Sequence, residues 1–367
     1  MKWVHIADLH IDENYSYGNG IRELNVRMQD LEKNLKEVIN YILKETNKGN
    51  KISLLIAGDI YNKPDPTSWE RQFFYKFLCS VLIARIEKIY GIPGTHDIGV
   101  THALREFSLD LNGDCDYKID FGGYESNDDM ILHREIIGTG ATEEKNIRDI
   151  FSSVFRSPRI VMLHCTINWS KYDNGKIVHN GLKSSLFESV LNKEKPCYVA
   201  LGHHHNFQKF SWDNGRIQAS YCGGLIRQDF GERNNKVGFN VWNDDTGSLI
   251  RINLKDRKFV IIKSLKKCLE LLKSAKKKVK GNIFKLEMID GNDFIKWCDM
   301  RERLLKAGAL EVKLLNMVRY KEAKVEMEKK EEKVESNSVL KKLRKKYGIK
   351  LAELAGEIID EVEKANS

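Results

Sequence analysis

Five short apolar runs in this chain each stop on an aspartate or a histidine. They are WVHIAD, ending at Asp8 with His10 two residues on; ISLLIAGD, ending at Asp59; IYGIPGTHD, ending at His96 and Asp97; IVMLH, ending at His164; and YVALGHHH, ending at His203, His204 and His205. Runs of roughly four to eight apolar residues are too short for a core helix and read as buried strands. Between the first two, Leu24, Met28, Leu31, Leu35, Val38, Ile39 and Ile42 recur at helical spacing across Arg22 to Lys44. Strand, helix, strand is the βαβ unit of a sheet with helices against its faces. The carboxyl ends of the strands in such a sheet open onto one crevice where loops converge. One polar residue at one strand end is an ordinary turn or sheet edge; ligand-type residues at five such ends mark a site.

The pattern continues with a helix at Trp69 to Arg85, after the turn residues Pro64 to Ser68, and strands at Ile86 to Ile92, Ile136 to Gly138, Ile160 to Leu163 and Tyr198 to Leu201. From Arg216 to Ile262 the sequence alternates and is rich in aromatics, as expected of antiparallel strands completing a second sheet. The expected fold is therefore α/β: two sheets face to face with helices outside, a four-layer αββα sandwich spanning residues 1–262. Lys263 to Lys280 reads as a basic connecting helix, and FKLEMI, the amphipathic stretch Asp293 to Ala307 and LEVKLLNMV read as a small α/β cap within 263–320. Residues 321–335 are nearly all Lys and Glu and read as a tether. In 336–367, two short amphipathic helices follow the N-cap residues Ser336, Asn337 and Ser338. Leu343 and Tyr347 mark the apolar face of the first, Ile358 and Ile359 that of the second. At about 12 residues each is marginal alone, so these faces need either a partner groove or the chain's own body.

The formal net charge of +9 lies wholly behind the sandwich: residues 1–262 hold 34 basic and 34 acidic side chains, residues 263–367 hold 27 and 18. A positive surface confined to one region attracts polyanions; lysine-rich solvated helix faces give the same count. Cysteines 79, 115, 165, 197, 222, 268 and 298 are odd in number and contain no C-x-x-C pair, which fits a reducing compartment and argues against a thiolate zinc site. No apolar run approaches a membrane span, and His5, Asp8 and His10 stand where a signal peptide is apolar. Neither export nor membrane insertion is expected.

Asp8, His10, Asp59, His164, His203 and His205 offer carboxylate oxygens and imidazole nitrogens without thiolate, a set suited to Mn, Fe or Zn. Six donors exceed one tetrahedral ion and suit two ions about 3.5 to 4 Å apart, an arrangement that hydrolyses phosphate esters. In an extended GHHH segment His203 and His205 face one way, leaving His204 to the surface or a supporting position. Asp8 and His10 likewise share a face, with Leu9 turned to the core. His5, His102, His133 and His179 fit no such pattern and read as structural. His96 is the candidate acid that protonates the leaving alkoxide, with the carboxylate of its neighbour Asp97 holding the other ring nitrogen.

The series D-x-H, G-D, H-D, H and G-H-x-H resembles that of the calcineurin-like binuclear metallophosphoesterases. HIADLHI, AGDIYNKPDPT, IPGTHD, VALGHHHNFQ and SYCGGLIRQDFGE with KVGF are similar to the nuclease subunit of the SbcCD and meiotic-recombination-eleven type. The resemblance implies two Mn2+ ions, with Mg2+ or Fe2+ as alternatives, held by Asp8, His10, Asp59, His164, His203 and His205, and His96 as catalytic histidine. It further implies exonuclease and endonuclease action on DNA ends without sequence preference in double-strand-break repair, and a homodimer through helices near 69–85 and 101–111. The implied partner is an SbcC-type coiled-coil ATPase on the C-terminal helices, and the implied compartment is cytoplasmic, nuclear or nucleoid-associated. Where that family has Asn in G-N-H-D this chain has Thr95, a shorter hydroxyl, which points to weaker occupancy of the second metal. Two other functions remain open at this level: a phosphomonoesterase or protein phosphatase of the same superfamily, and a DNA-binding scaffold weakened by Thr95.

Overall fold

The computed structural model describes residues 1–15, 17, 25–97, 118–121, 130–133, 136–139, 147, 158–172, 175–274, 276–288 and 294–316. The helix read at 101–111, His102, the tether and the terminal helix pair lie outside these residues. The chain divides into two compact units between Val260 and Ile261.

The first unit is built on two six-stranded sheets. One contains β1 (Lys2–Ile6), β2 (Ile52–Ala57), β3 (Lys88–Ile92), β4 (Lys118–Phe121), β11 (Gly238–Asn243) and β12 (Leu249–Asn253), in the order β12-β11-β1-β2-β3-β4. The other contains β5 (Met130–His133), β6 (Ile136–Thr139), β7 (Ile160–His164), β8 (Cys197–Gly202), β9 (Gln208–Trp212) and β10 (Ile217–Tyr221), in the order β5-β6-β7-β8-β10-β9. Strands β1 to β4 pair in parallel, as do β6, β7, β8 and β10.

Strand alternation distributes the apolar residues between three layers of core. On the outer face of the first sheet Val4, Ile6, Leu54, Ile56 and Ile89 pack against α1 (Val26–Thr46) and α2 (Ser68–Ile83), which contribute Met28, Leu31, Leu35 and Val38, and Phe74 and Leu78. Between the sheets, Trp3, Leu55, Tyr90 and Ile92 meet Ile160, Met162, Tyr198 and Ala200. Beyond the second sheet, Val161, Leu163, Val199 and Leu201 pack with Leu186 and Phe187 of α3 (Ser184–Val190). This is the helix, sheet, sheet, helix layering expected of the sequence. Local chemistry starts the two long helices where they begin: Asn25 caps α1 by accepting from Arg27 N–H, and Thr67 with Glu70 forms a capping box on α2.

The expectation that Arg216 to Ile262 completes the second sheet is corrected. Of that span only β10 belongs there, beside the preceding β9; β11 turns back to pair antiparallel with β1, and β12 follows it. The reason lies in β1, which is apolar on both faces and would otherwise present an open ladder at a sheet edge. The second unit contains α4 (Leu265–Ser274), α5 (Lys276–Val279) and α6 (Phe294–Lys306) with the parallel pair β14 (Ile283–Met288) and β15 (Glu311–Asn316); β13 (Phe259–Ile262), which spans the division, is the third strand of that sheet. Among the described residues no helix is long and apolar enough to cross a membrane.

Candidate metal centre

Parallel pairing brings the carboxyl ends of β1, β2, β7 and β8 to one side, and the loops beyond them stay in register. Asp8 N–H donates to Gly58 O (3.0 Å), His10 N–H to Asp59 O (2.9 Å), and Ile11 N–H to Ile60 O (2.9 Å). Across the second sheet His164 pairs with Gly202. Each loop bends sharply: Asp8, His10, Asp59 and His203 have φ of 53°, 44°, 50° and 98°, four of the eight described non-glycine residues with positive φ. Such conformations cost of order 1–3 kcal/mol each and cluster where function over-determines the backbone. Gly94 and Gly202 permit the approach: a Cβ on Gly94 would strike Asp59, and one on Gly202 would strike Ala57 O and lie 2.7 Å from His164 Nδ1.

The side chains converge accordingly. Three groups each place their donor atoms within 4.8 Å of one another: Asp8, His10 and His205; His10, Asp59 and His96; Asp8, Asp59 and His164. Asp59 Oδ2 stands between two histidines, 3.1 Å from His164 Nε2 and 3.6 Å from His10 Nε2, while its Oδ1 accepts from His96 N–H at 2.8 Å. Asp8 Oδ1 accepts from His203 N–H at 2.8 Å; the His203 ring lies 5.4 Å from that of His164.

Behind the cluster, acceptors fix the rings. His164 Nδ1–H donates to Ala57 O (2.9 Å) and His205 Nδ1–H to Glu232 Oε1 (2.7 Å), which turns each Nε2 inward. His204 is buried and points away, its Nε2 3.3 Å from Ser170 Oγ and its ring edge-on to Tyr221; it supports the site and is not a surface residue. His5 is buried between the sheets against Tyr198 OH (2.7 Å). His179 is exposed, edge-on to Trp169.

Asp97 is not where the sequence placed it. Its buried carboxylate accepts backbone N–H groups from Gly94 (2.8 Å), Tyr61 (2.9 Å) and Ile60 (3.1 Å), tying the β2 and β3 loops together. The exposed ring of His96 donates instead from Nδ1 to Asn62 O at 3.1 Å. Adjacent residues in a tight helical turn point apart, so one cannot hold the other's ring. Glu232 was missed as a functional residue, because an acid 27 positions beyond His205 carries no spacing signal.

The electrostatics divide the imidazoles. Burial, then the neighbouring His205, pushes His10 well below its ordinary range, and burial with His164 lowers His203 to about 4. Both are neutral near pH 7, with lone pairs available. Burial works against the proton of His164, but Asp59 reverses this and raises it to about 9. Burial would also raise Asp59, yet His164 and His10 hold it below the usual carboxylate range. Asp8, dominated by burial, rises to about 6.

These residues fit a pair of divalent cations. Among the described residues the buried Asp8 Oδ2 has no hydrogen-bond partner. His10 Nε2 and His205 Nε2 lie 3.0 Å apart, the separation of two imidazoles set at right angles about 2.1 Å from a shared cation. Asp8, His10 and His205 would hold one ion and His164 the other, with Asp59 between; His203 stands beside His164 but belongs to none of the three donor groups. Beside the second position a cleft of about 300 Å³ is lined by Thr95, His164, Cys165, Thr166, Asn180, Gly181, Leu182 and His203.

Comparison with known proteins agrees with this chemistry. Residues 1–207 match the family model of the calcineurin-like phosphoesterases. No curated protein matches the chain. With the match covering more than half of the sequence and the donor cluster lying within it, the chain belongs to the calcineurin-like phosphoesterases, metal-dependent hydrolases of phosphoesters.

Proposed function

We propose that this phosphoesterase is a manganese-dependent DNA nuclease, cleaving phosphodiesters at DNA ends with exonuclease and endonuclease action. The observation that carries the choice of polymer over small phosphoester is the confinement of the positive excess to residues behind the catalytic unit, where phosphate contacts add sequence-independent affinity. When bound, two divalent cations lower the pKa of water and neutralise phosphate charge during in-line displacement. The chain's own part is to present them on Asp8, His10, Asp59, His164, His203 and His205. His96, with its Nδ1–H donated to Asn62 O, would act as an imidazolium whose second proton, on Nε2, passes to the leaving oxygen and leaves the ring neutral. The segment 336–367 is proposed to bind a coiled-coil ATPase, and α2 to contribute to a homodimer.

Purified protein with Mn2+ and end-labelled duplex is expected to degrade the DNA, with activity abolished by chelator and lowered about 10²- to 10⁴-fold in His96→Ala. Activity that survives both refutes the assignment. Rapid turnover of an aryl phosphate with no DNA cleavage favours the phosphatase reading. Thr95 at the wall of the cleft beside His164 and His203 keeps a weakened scaffold in view, which tight DNA binding with no hydrolysis under any divalent ion would establish.

A further inference from the structure

Between His164 and α3 the chain forms an arm, pinned by bridges between Ile167 and Leu182 and between Lys171 and Ile177. Its inner side is buried: Ile167, Ser170, Val178 and Leu182 face the body, and Ser170 Oγ donates to Ile167 O at 2.7 Å. Its legs supply Thr166, Asn180, Gly181 and Leu182 to the cleft beside His164 and His203. On the outside stands Trp169, 67% exposed.

Two features make that tryptophan unusual. Its φ is 68°, a left-handed conformation that is a genuine outlier for a bulky residue. The conformation is held by the backbone, since Trp169 N–H donates to Val178 O (2.9 Å) and Asn168 N–H to Leu182 O (2.9 Å), with the His179 ring perpendicular to the indole at 5.4 Å. A large flat apolar side chain is thus kept in solvent on an arm whose inner side is buried, with Tyr172 and Ile177 half-exposed nearby. The arm's charged residues are three lysines, Lys171, Lys176 and Lys183, all exposed, and one acid, Asp173. Trp169 is three residues from Thr166, at most about 10 Å along extended chain.

We propose that Trp169 is a stacking platform for a nucleobase next to the phosphate held at the metal centre, with the arm's lysines meeting the flanking phosphates. The proposal rests on the nuclease reading above. An indole offers sequence-independent affinity because every base has a π-face, and the arm's excess of three lysines over one acid favours a polyanion over a protein surface.

The test uses the full chain and a fluorescent single-stranded oligonucleotide, in chelating buffer to prevent hydrolysis, with and without abasic positions. Trp169→Gly is the informative variant, because glycine adopts this backbone freely. Its Tm is expected to equal or exceed that of wild type, while Kd for the base-bearing oligonucleotide rises about tenfold, the effect of one stacked base. Trp169→Phe, which keeps a ring, recovers most of the loss, and all three proteins bind the abasic oligonucleotide alike. Equal Kd values for wild type and Trp169→Gly overturn the proposal, as does an equal loss on base-bearing and abasic strands. A Tm lowered by several degrees assigns Trp169 to packing and also overturns it, and so does loss of self-association with DNA affinity unchanged. Failure of wild type to cleave any DNA with Mn2+ is the separate result that removes the nuclease reading.

Discussion

Removing the Glu232 carboxylate asks whether the cluster is a built metal centre or a chance gathering of polar groups. Glu232, only 8% exposed at its side chain, accepts from His205 Nδ1 at 2.7 Å through Oε1 and from Gln228 N–H at 2.9 Å through Oε2. In Glu232→Ala the imidazole loses the acceptor that fixes its tautomer and rotation, and Nε2 is no longer aimed at the position it shares with His10. Carboxylates behind ligating imidazoles change metal affinity by about 10- to 100-fold, or ~1.4 to 2.7 kcal/mol. The Gln228 N–H is orphaned as well, which costs ~1 to 3 kcal/mol of stability without metal. Glu232→Gln separates the effects: a carboxamide has one acceptor oxygen for two donors, so one bond fails while the shape is kept. Titration calorimetry with Mn2+ on chelator-stripped protein is expected to show one of two sites weakened by that factor in both variants, with melting in chelator reporting the fold. If both variants fold and bind Mn2+ as tightly as wild type, His205 is not a ligand and the assignment of the first ion is wrong.

Thr95→Asn, which restores a carbonyl oxygen beside His164 and His203, is expected to tighten the weaker Mn2+ site, read by the same calorimetry; unchanged affinity would show that position 95 does not reach the ion. Gly202→Ala drives a Cβ into Ala57 O and is expected to destabilise the protein by about 3 kcal/mol in urea titrations, with Mn2+ binding impaired through the displaced His164. Glu45, near the end of α1, takes hydrogen bonds from Lys2 and Lys48 that hold its carboxyl down to about 2 from an ordinary 4.5. Because the folded pKa is depressed, the stabilisation is complete above pH 4.5 and disappears as pH falls through 2. Glu45→Gln should therefore cost ~1 to 2 kcal/mol at pH 7, discounted for solvent screening at the lysines, and nothing below pH 2. An equal deficit at both pH values in urea titrations would contradict this.

Much of the centre was legible because its residues sit at strand ends, where period and position are encoded locally. Asp8 with His10, and His203 with His205, were paired by alternation, although sharp bends at Asp8, His10 and His203 rather than extended backbone bring them in; the apolar runs before them fix which edge of the sheet they reach. What was not legible depends on pairings between distant segments. The return of β11 to β1 cannot be read from GFNVWN, whose alternation suits either sheet; it is decided by the open flank of β1. Asp97 misled because adjacency in sequence resembles adjacency in space, whereas its carboxylate is drawn inward by three amide groups. Glu232 lacked any signal beyond its place in the wording QDFGE, since its role is defined only once β10 and the loop after it carry it beneath His205.

The left-handed backbone at Asp8, His10, Asp59 and His203 has an evolutionary corollary. Glycine at any of these positions would relax the chain while deleting a donor. Endurance and catalysis therefore pull on the same four codons in opposite directions. A lineage freed from the need to hydrolyse anything would be expected to drift there first, and laboratory selection for heat resistance alone would find its easiest gains by dismantling the reactive centre.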